Sequence, residues 1–146
     1  MQIISFKSKI SVHSEIESQL SSVIDELKPG KIFILTDENT HAYCLPYIEK
    51  LIEREKVDVL NIGQGESKKV IGTVIEIWNF LQQQGADRES LLINLGGGML
   101  LDIGGFAAST FKRGMKFINI PTTLLSMVDA SVGGKTGINL NDYKNH

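Results

Sequence analysis

The sequence has 146 residues, enough for one domain with a buried hydrophobic core. Its 42% hydrophobic and 22% charged residues are ordinary for a globular protein. The formal net charge of -2 and the lack of any short block of Lys and Arg argue against nonspecific nucleic-acid binding, which needs a concentrated basic face.

The N-terminal segment predicts a strand followed by a helix. It contains no apolar run with a basic flank and a small-residue cleavage site, so we expect no signal peptide, and no stretch of the chain is apolar over the length that crosses a bilayer. Ser14 and Glu17 match a capping box, and Pro29-Gly30 ends the helix. The apolar stripe of this helix consists of Ile16, Leu20, Ile24 and Leu27.

Apolar runs alternate with amphipathic segments, which is typical of βαβ units around a parallel sheet. The candidate strands are Ile3–Phe6, Ile32–Thr36, Val57–Ile62, Leu91–Leu95 and Phe117–Ile120. The runs that begin at Ile32 and Leu91 are continuously apolar, as in strands that are covered on both faces. The pattern predicts an α/β, Rossmann-like fold: a mostly parallel sheet of five or six strands with helices on both faces.

Two more helices are predicted between the strands. One covers Tyr47 to Arg54, with Pro46 near its first turn, where a missing N–H costs little. The other runs from about Lys68 to Gln83 and stops at Gly85. Its inward residues are Val70, Val74, Ile77, Trp78 and Leu81. The single Cys44 has no disulfide partner in the chain, so we expect a small buried hydrophobe and a cytoplasmic location.

The first loop that carries chemistry is Gly96-Gly97-Gly98, between a buried strand and a helix. Glycines let the backbone approach a pyrophosphate, and the free N–H groups of a helix start favour an anion. The spacing differs from GxGxxG, so a tight strand-to-helix turn is the alternative. Gly104 and Gly105 lie inside the following helix, where they cost stability, and we expect them where this helix packs closely on the sheet.

Two further loops follow predicted strands. Residues Gly63 to Lys69 form a weak pattern, for which a solvated turn before a charged helix start is the simpler interpretation. Asp37-Glu38-Asn39 follows the strand that begins at Ile32. An acidic residue there can accept hydrogen bonds from ribose hydroxyls or cap the next helix, and both alternatives stand.

The most specific block runs from Pro121 to Asn139 and contains Pro-Thr-Thr-Leu-Leu followed by Asp-Ala-Ser-Val-Gly-Gly-Lys-Thr. A structural loop would not need Lys135 beside a glycine pair, nor Asp129 on an otherwise apolar helix, Leu124–Val132. Gly-Gly-Lys-Thr is similar to the end of a P-loop, but the glycine that a P-loop requires five positions before Gly134 is absent, which excludes that motif.

Taken together, these segments resemble 3-dehydroquinate synthase, in the wider group of sugar phosphate cyclases. The strings that carry the resemblance are GESKK, LGGGMLLDIGGFAASTFKRG, FINIPTTLLSMVDASVGGKTGIN and the terminal KN. The resemblance is weak before Thr36 and dense from Gly63 to Asn145. It implies that residues 1–146 are an NAD-binding N-terminal domain, truncated before a helical C-terminal domain in which a Glu and two His hold zinc or cobalt.

The resemblance also implies an activity. The family is a phosphate-eliminating lyase that converts 3-deoxy-arabino-heptulosonate 7-phosphate to 3-dehydroquinate in the shikimate pathway and recycles its NAD. Its partner would be a small-molecule sugar phosphate, with no nucleic acid and no membrane. The apolar helix from Leu124 is expected to be exposed in this chain, so self-association, for example as a homodimer, is a further expectation.

Carried over residue by residue, the resemblance implies two groups of site residues. The cofactor-binding group consists of Asp37, Asn39, Glu66, Lys69, Gly97, Gly98, Asp102, Thr122 and Thr123. The group nearest the nicotinamide and the substrate consists of Asp129, Lys135, Lys144 and Asn145, with Arg113 reaching a substrate anion. Cationic side chains complement a carboxylate and a phosphate, while Asp and Asn hold hydroxyls.

The chain departs from the family pattern at Leu101, where many members have Gly, and at Leu140, where His is common. Its histidines, His13, His41 and His146, show no metal spacing, so no metal ligand is predicted in this chain. Without the metal-binding half, the chain by itself is predicted to be inactive.

Three alternatives remain at this point. One is a polyol or glycerol phosphate dehydrogenase of the iron-type fold, which also carries a triple-glycine turn. Another is a cyclase that uses a different sugar phosphate. The third, from a different class of protein, is a free-standing nucleotide-binding or regulatory module.

Overall fold

A computed structural model describes residues 2–5, 8–12, 15–141 and 143–145. The strands are β1 (Gln2–Ser5), β2 (Ser8–Ser11), β3 (Ile32–Asp37), β4 (Asp58–Ile62), β5 (Leu91–Gly96) and β6 (Lys116–Pro121). The helices are α1 (Ile16–Leu27), α2 (Glu38–Tyr43), α3 (Glu49–Glu55), α4 (Ile71–Gln83), α5 (Gly98–Thr110) and α6 (Leu124–Val128). None of these helices is both long enough and apolar enough to cross a membrane.

Within the described residues, four parallel strands form the central sheet in the order β4-β3-β5-β6. The expected count of five or six strands was wrong, because β1 pairs antiparallel with β2 in a separate sheet. Phe6, the last residue of the first predicted strand, lies outside the described residues. All four carboxyl ends lie at one edge of the central sheet. Strand β4 lies on one side of β3, and β5 lies on the other side. The direction in which the chain adds strands therefore reverses between β3 and β5, which makes this the topological switch point.

Helices cover both faces of the sheet, as predicted. Successive residues of β3 point to opposite faces: Phe33 and Leu35 pack in the cluster formed with α4 and α5. Ile32 and Ile34 pack in the cluster formed with α1 and α3. Phe33, Ile34 and Leu35 are completely buried, which explains why this strand is apolar without alternation.

The helix ends differ from the predicted ones in detail. Helix α1 begins after Glu15, which makes no side-chain cap, and the predicted capping residue Ser14 lies outside the described residues. The predicted helix over Tyr47 to Arg54 is a 3₁₀ turn, Leu45–Ile48, with Pro46 at its start, followed by α3. Helix α4 begins later than predicted, after a 3₁₀ turn, Glu66–Lys68. Val70 therefore precedes the helix and is exposed rather than inward.

Two elements near the carboxyl edge also differ. Helix α2 was not predicted, and it begins directly where β3 ends. The predicted helix Leu124–Val132 stops at Val128 and is capped by Thr123. Gly85, by contrast, ends α4 as predicted, with a φ of +72° that a residue with a side chain rarely adopts.

Candidate ligand site at the carboxyl edge of the sheet

The glycine turn between β5 and α5 is loosely packed enough to accept a Cβ atom. Gly97 is the N-cap of α5, with φ -79° and no side-chain cap. A Cβ atom placed on Gly97 would lie 3.5 Å from Thr123 Cγ2, and one on Gly98 would lie 4.0 Å from Ala130 Cβ. These are ordinary contacts, and neither φ is positive, so the fold does not itself require glycine at either position. The first N–H groups of the 13-residue helix α5 face this space without a capping side chain, as anion sites do.

Gly104 and Gly105, further along α5, have the opposite environment. A Cβ on Gly104 would overlap the side-chain oxygen of Asn94, which is fully buried on β5. A Cβ on Gly105 would overlap Thr136 Cγ2 and lie 3.4 Å from the Phe117 ring. The expectation that these glycines allow close packing of α5 on the sheet is confirmed.

A buried ion pair lies beside the glycine turn. Lys69 is 4% exposed, and its Nζ donates to Asp102 Oδ2 at 2.5 Å and to Asn145 Oδ1 at 2.5 Å. Asp102 lies in the second turn of α5, and Lys69 ends the loop after β4. The structure therefore joins residues from three separate predicted motifs in one contact group. A charged amine buried this deeply needs such partners.

Asn139 links the same group to Glu66. Its Nδ2 donates to Glu66 Oε1 at 2.9 Å, and its Oδ1 accepts from the Asn145 N–H at 3.1 Å. Its backbone N–H donates to the Lys69 carbonyl at 2.7 Å, within an isolated parallel bridge between Val70 and Asn139. Asn139 stands at the end of the most specific motif, but its links were not predicted, because they join positions far apart in sequence.

Asp37 and Asn39 lie at the end of β3. Asp37 Oδ1 accepts from the Thr40 N–H at 2.8 Å, and Thr40 Oγ1 accepts from the Asp37 N–H at 3.0 Å, which forms a capping box at the start of α2. Of the two alternatives for Asp37, the helix cap is therefore observed. Asn39 Nδ2 donates to Gln64 Oε1 at 2.7 Å, so the loops that follow β3 and β4 are in contact.

Thr122 and Thr123 follow β6 and lie beside the glycine turn. The Thr122 N–H donates to the Gly96 carbonyl at 3.0 Å. Thr123 Oγ1 accepts from the Ser126 N–H at 3.2 Å and caps α6. The prediction that Gly97 and Thr122 lie close together is confirmed.

The remaining predicted residues divide between the two ends of the sheet. Asp129 ends α6, and Lys135 and Lys144 are exposed in the loops that follow it. Arg113 lies elsewhere: it comes after the far end of α5 and before β6, with φ +72°. A helix of 13 residues is about 20 Å long. Within this chain, Arg113 therefore does not lie at the carboxyl edge of the sheet with the other predicted site residues.

No group of three or more His, Cys, Asp or Glu residues suited to a metal ion occurs within residues 2–5, 8–12, 15–141 and 143–145. His41 pairs through Nδ1 with Thr36 Oγ1 at 3.3 Å, and His13 and His146 lie outside the described residues. Cys44 is half-buried at the edge of the core. Burial, and then the negative charge of Asp37, raise the pKa of its thiol, so Cys44 is poorly suited as a nucleophile.

The family model for the N-terminal domain of 3-dehydroquinate synthase matches residues 59–146. A 3-dehydroquinate synthase from Parabacteroides distasonis is 47% identical over 137 residues, which cover 94% of this chain and 39% of that relative. The chain thus spans about two-fifths of the length of the curated relatives that it matches.

Solved structures of cyclases and of dehydrogenases share the fold. A 2-deoxy-scyllo-inosose synthase complexed with carbaglucose-6-phosphate, NAD+ and Co2+ superimposes with a TM-score of 0.88 at 24% identity, over 99% of this chain and 41% of that one. A 2-epi-5-epi-valiolone synthase from Streptomyces hygroscopicus with NAD+ and Zn2+ bound gives a TM-score of 0.76 at 27% identity, over 99% and 41%. An iron-containing alcohol dehydrogenase gives 0.61 at 17% identity, over 84% and 36%.

Proposed function

Because this chain belongs to the family of 3-dehydroquinate synthase N-terminal domains, we propose that residues 1–146 are the NAD-binding part of such an enzyme. The reaction is the conversion of 3-deoxy-arabino-heptulosonate 7-phosphate to 3-dehydroquinate and phosphate. The observation that carries the proposal is the open glycine turn beside the buried Lys69–Asp102 pair, at the edge of a parallel sheet where such folds take their ligands.

The glycine turn fits a pyrophosphate. A Cβ on Gly97 or Gly98 would meet no clash, so the backbone of the turn can be approached closely. The N-terminus of α5 directs N–H groups and a partial positive charge toward this turn. The positive charge of Lys69 lies next to this helix through its pair with Asp102. Because that charge is buried and balanced by Asp102, a diphosphate at this point would complement mainly the N-terminus of α5.

Polar groups on either side of the turn fit the two ribose units of NAD. Asp37 and Asn39 lie at the end of β3, and Thr122 and Thr123 at the end of β6, on the two sides of the turn that follows β5. The capping role of Asp37 does not prevent ribose binding, because a carboxylate has about four lone-pair positions. Glu66 extends the polar edge on the side of β4.

Four residues form the candidate substrate side. Asp129, Lys135 and Lys144 are exposed beyond α6, and Asn145 reaches back to Lys69. The lysines would complement the carboxylate and phosphate of a sugar acid phosphate, and Asp129 and Asn145 would hold its hydroxyls. Arg113 of the same chain is too distant to take part in this group.

A bound NAD would supply reversible hydride transfer at a substrate carbon. The residues of this chain would orient the cofactor and the substrate and balance their charges. The zinc or cobalt that the family relation implies finds no cluster of ligands in the described part of the chain, so no metal step is assigned to these residues.

A phosphate-release assay tests the reaction. The 146-residue chain is mixed with the heptulosonate phosphate, NAD and zinc or cobalt, and a full-length relative such as the Parabacteroides distasonis protein serves as the control. We expect turnover by the relative and none by this chain, which spans only about two-fifths of the relative's length. Turnover by the 146-residue chain alone would contradict the expectation that these residues by themselves are inactive. If this chain released phosphate from a different sugar phosphate and none from the heptulosonate, the proposed substrate would be contradicted.

A further inference from the structure

The side chain of Asn139 uses both ends of its amide. Nδ2 donates to Glu66 Oε1 at 2.9 Å and Oδ1 accepts from the backbone N–H of Asn145 at 3.1 Å. These two partners are far apart in sequence, and Asn139 is the residue that connects them.

The backbone of Asn139 adds a third link. Its N–H donates to the carbonyl of Lys69 at 2.7 Å, and the bridge to Val70 is parallel. The segment that ends at Asn145 is thereby held against the loop that precedes α4. As a result, Asn145 Oδ1 lies 2.5 Å from Lys69 Nζ.

The groups that Asn139 holds are themselves exposed. Glu66 and Asn145 are both open to solvent, while the Lys69 amine beneath them is buried. An exposed side chain loses conformational entropy when it is ordered, and a ligand must supply that cost unless the protein has already done so. Asn139 orders the Glu66 side chain and the Asn145 backbone before any ligand binds, and the Asn145 side chain is then held by Lys69.

We propose that Asn139 is a positioning residue of this ligand site, which holds Glu66 on the cofactor side and Asn145 on the substrate side in place around Lys69, without contacting NAD itself. This inference rests on the proposed function, since it takes NAD as the ligand of this edge. It predicts that the affinity for NAD depends on the hydrogen bond between residues 139 and 66, whichever of the two donates it.

A double-mutant cycle tests this dependence. Asn139→Asp keeps an oxygen for the Asn145 N–H but places a carboxylate against Glu66, so the link between them is lost. Glu66→Gln provides an amide that can donate to the carboxylate introduced at position 139, which restores the link with its direction reversed. NAD affinity of the 146-residue chain is measured by NMR titration for wild type, both single variants and the double variant.

We expect Asn139→Asp to weaken NAD binding about fivefold when residue 66 is Glu and less than twofold when it is Gln. Asn79→Asp is the matched control, because Asn79 is exposed on α4, away from the loops of the site. It should leave the affinity unchanged. A role in folding alone would lower the folded fraction, which the same NMR spectra report, and would leave the affinity of the folded chain unchanged.

The outcomes separate the two claims. If wild type binds NAD and Asn139→Asp lowers the NAD affinity by the same factor with Glu66 and with Gln at that position, the positioning role is overturned and NAD binding stands. If wild type does not bind NAD at all, the proposed function fails and the inference fails with it. If Asn139→Asp does not fold, Asn139→Ser replaces it, and unchanged affinity in this shorter side chain overturns the inference.

Discussion

The glycine turn that opens helix α5 and the glycine pair inside that helix contain the same residue type for opposite reasons. At Gly97 and Gly98 an added Cβ would meet only ordinary contacts at 3.5 and 4.0 Å. At Gly104 and Gly105 an added Cβ would overlap Asn94 and Thr136. The inner pair is therefore explained by packing, and the outer pair is not. Space that the fold keeps but does not fill is what a ligand site requires.

The largest effect is expected from a change in the inner pair. Gly104→Ala forces the buried Asn94 to move and threatens its hydrogen bond to Asn119, so unfolding in urea should show a loss of about 2–3 kcal/mol. Gly72→Ala is the control, since Gly72 lies in α4 with nothing within 4 Å of the added carbon. It should be neutral or slightly stabilising. Equal losses in both variants would remove the packing explanation.

The buried pair beside the turn should give the next largest effect. Asp102→Asn leaves the Lys69 amine without its anionic partner, and we expect a loss of about 1–2 kcal/mol, reduced because the Asp102 side chain is 22% exposed. Glu89→Gln is the control, because its ion pair with Lys116 is 3.7 Å long and largely exposed. Its free energy of unfolding should change by less than about 0.5 kcal/mol. The pair is not a stability element if the two variants unfold at the same urea concentration.

The outer pair should affect binding rather than stability. Gly97→Val places a side chain in the space assigned to the pyrophosphate, so NAD affinity should fall at least about tenfold, or about 1.4 kcal/mol. The chain should stay folded with a loss of about 1–2 kcal/mol, because the added Cβ makes ordinary contacts but valine is a poor N-cap residue. Gly30→Val is the matched control: Gly30 also has open space, but it lies at the opposite end of the sheet. Unchanged affinity in folded Gly97→Val would mean that the cofactor binds elsewhere.

The smallest effect on stability is expected on α6. Leu124 and Leu125 are 79% and 73% exposed, so Leu124→Ser should change the free energy of unfolding by less than about 0.5 kcal/mol. If this apolar surface drives self-association, the variant should sediment as a smaller species than wild type at the same concentration. If wild type self-associates and Leu124→Ser sediments identically, the chains associate through another surface.

The patterns of the sequence predicted the parallel sheet well, because buried runs such as Ile32-Phe33-Ile34-Leu35 allow few other interpretations. They failed at the N-terminus, where a strand pattern does not say which sheet it joins. Helix α2 was missed because it has only 6 residues and little apolar periodicity, although Asp37 and Thr40 form its capping box.

The candidate site was predicted only in part. The glycine turn, Asp102 and Lys69 belong to local motifs, and their common edge follows from the parallel strands. The link through Asn139 depends on contacts between residues 66, 69, 139 and 145, which no local pattern contains. Arg113 was placed in the site by resemblance, and only the strand directions reveal that it lies at the other end of α5.

The most direct test of the account is an NMR titration of the 146-residue chain with NAD, followed through its backbone amides. We expect saturable shifts centred on Gly97, Gly98 and Met99, extending to Lys69 and Thr122, with little change near Arg113. Binding is expected to be weak, so concentrations up to the millimolar range are needed. No saturable shift, or shifts centred on the groove of about 270 Å³ between α1 and α3, lined by residues such as Glu17 and Lys50, would contradict it.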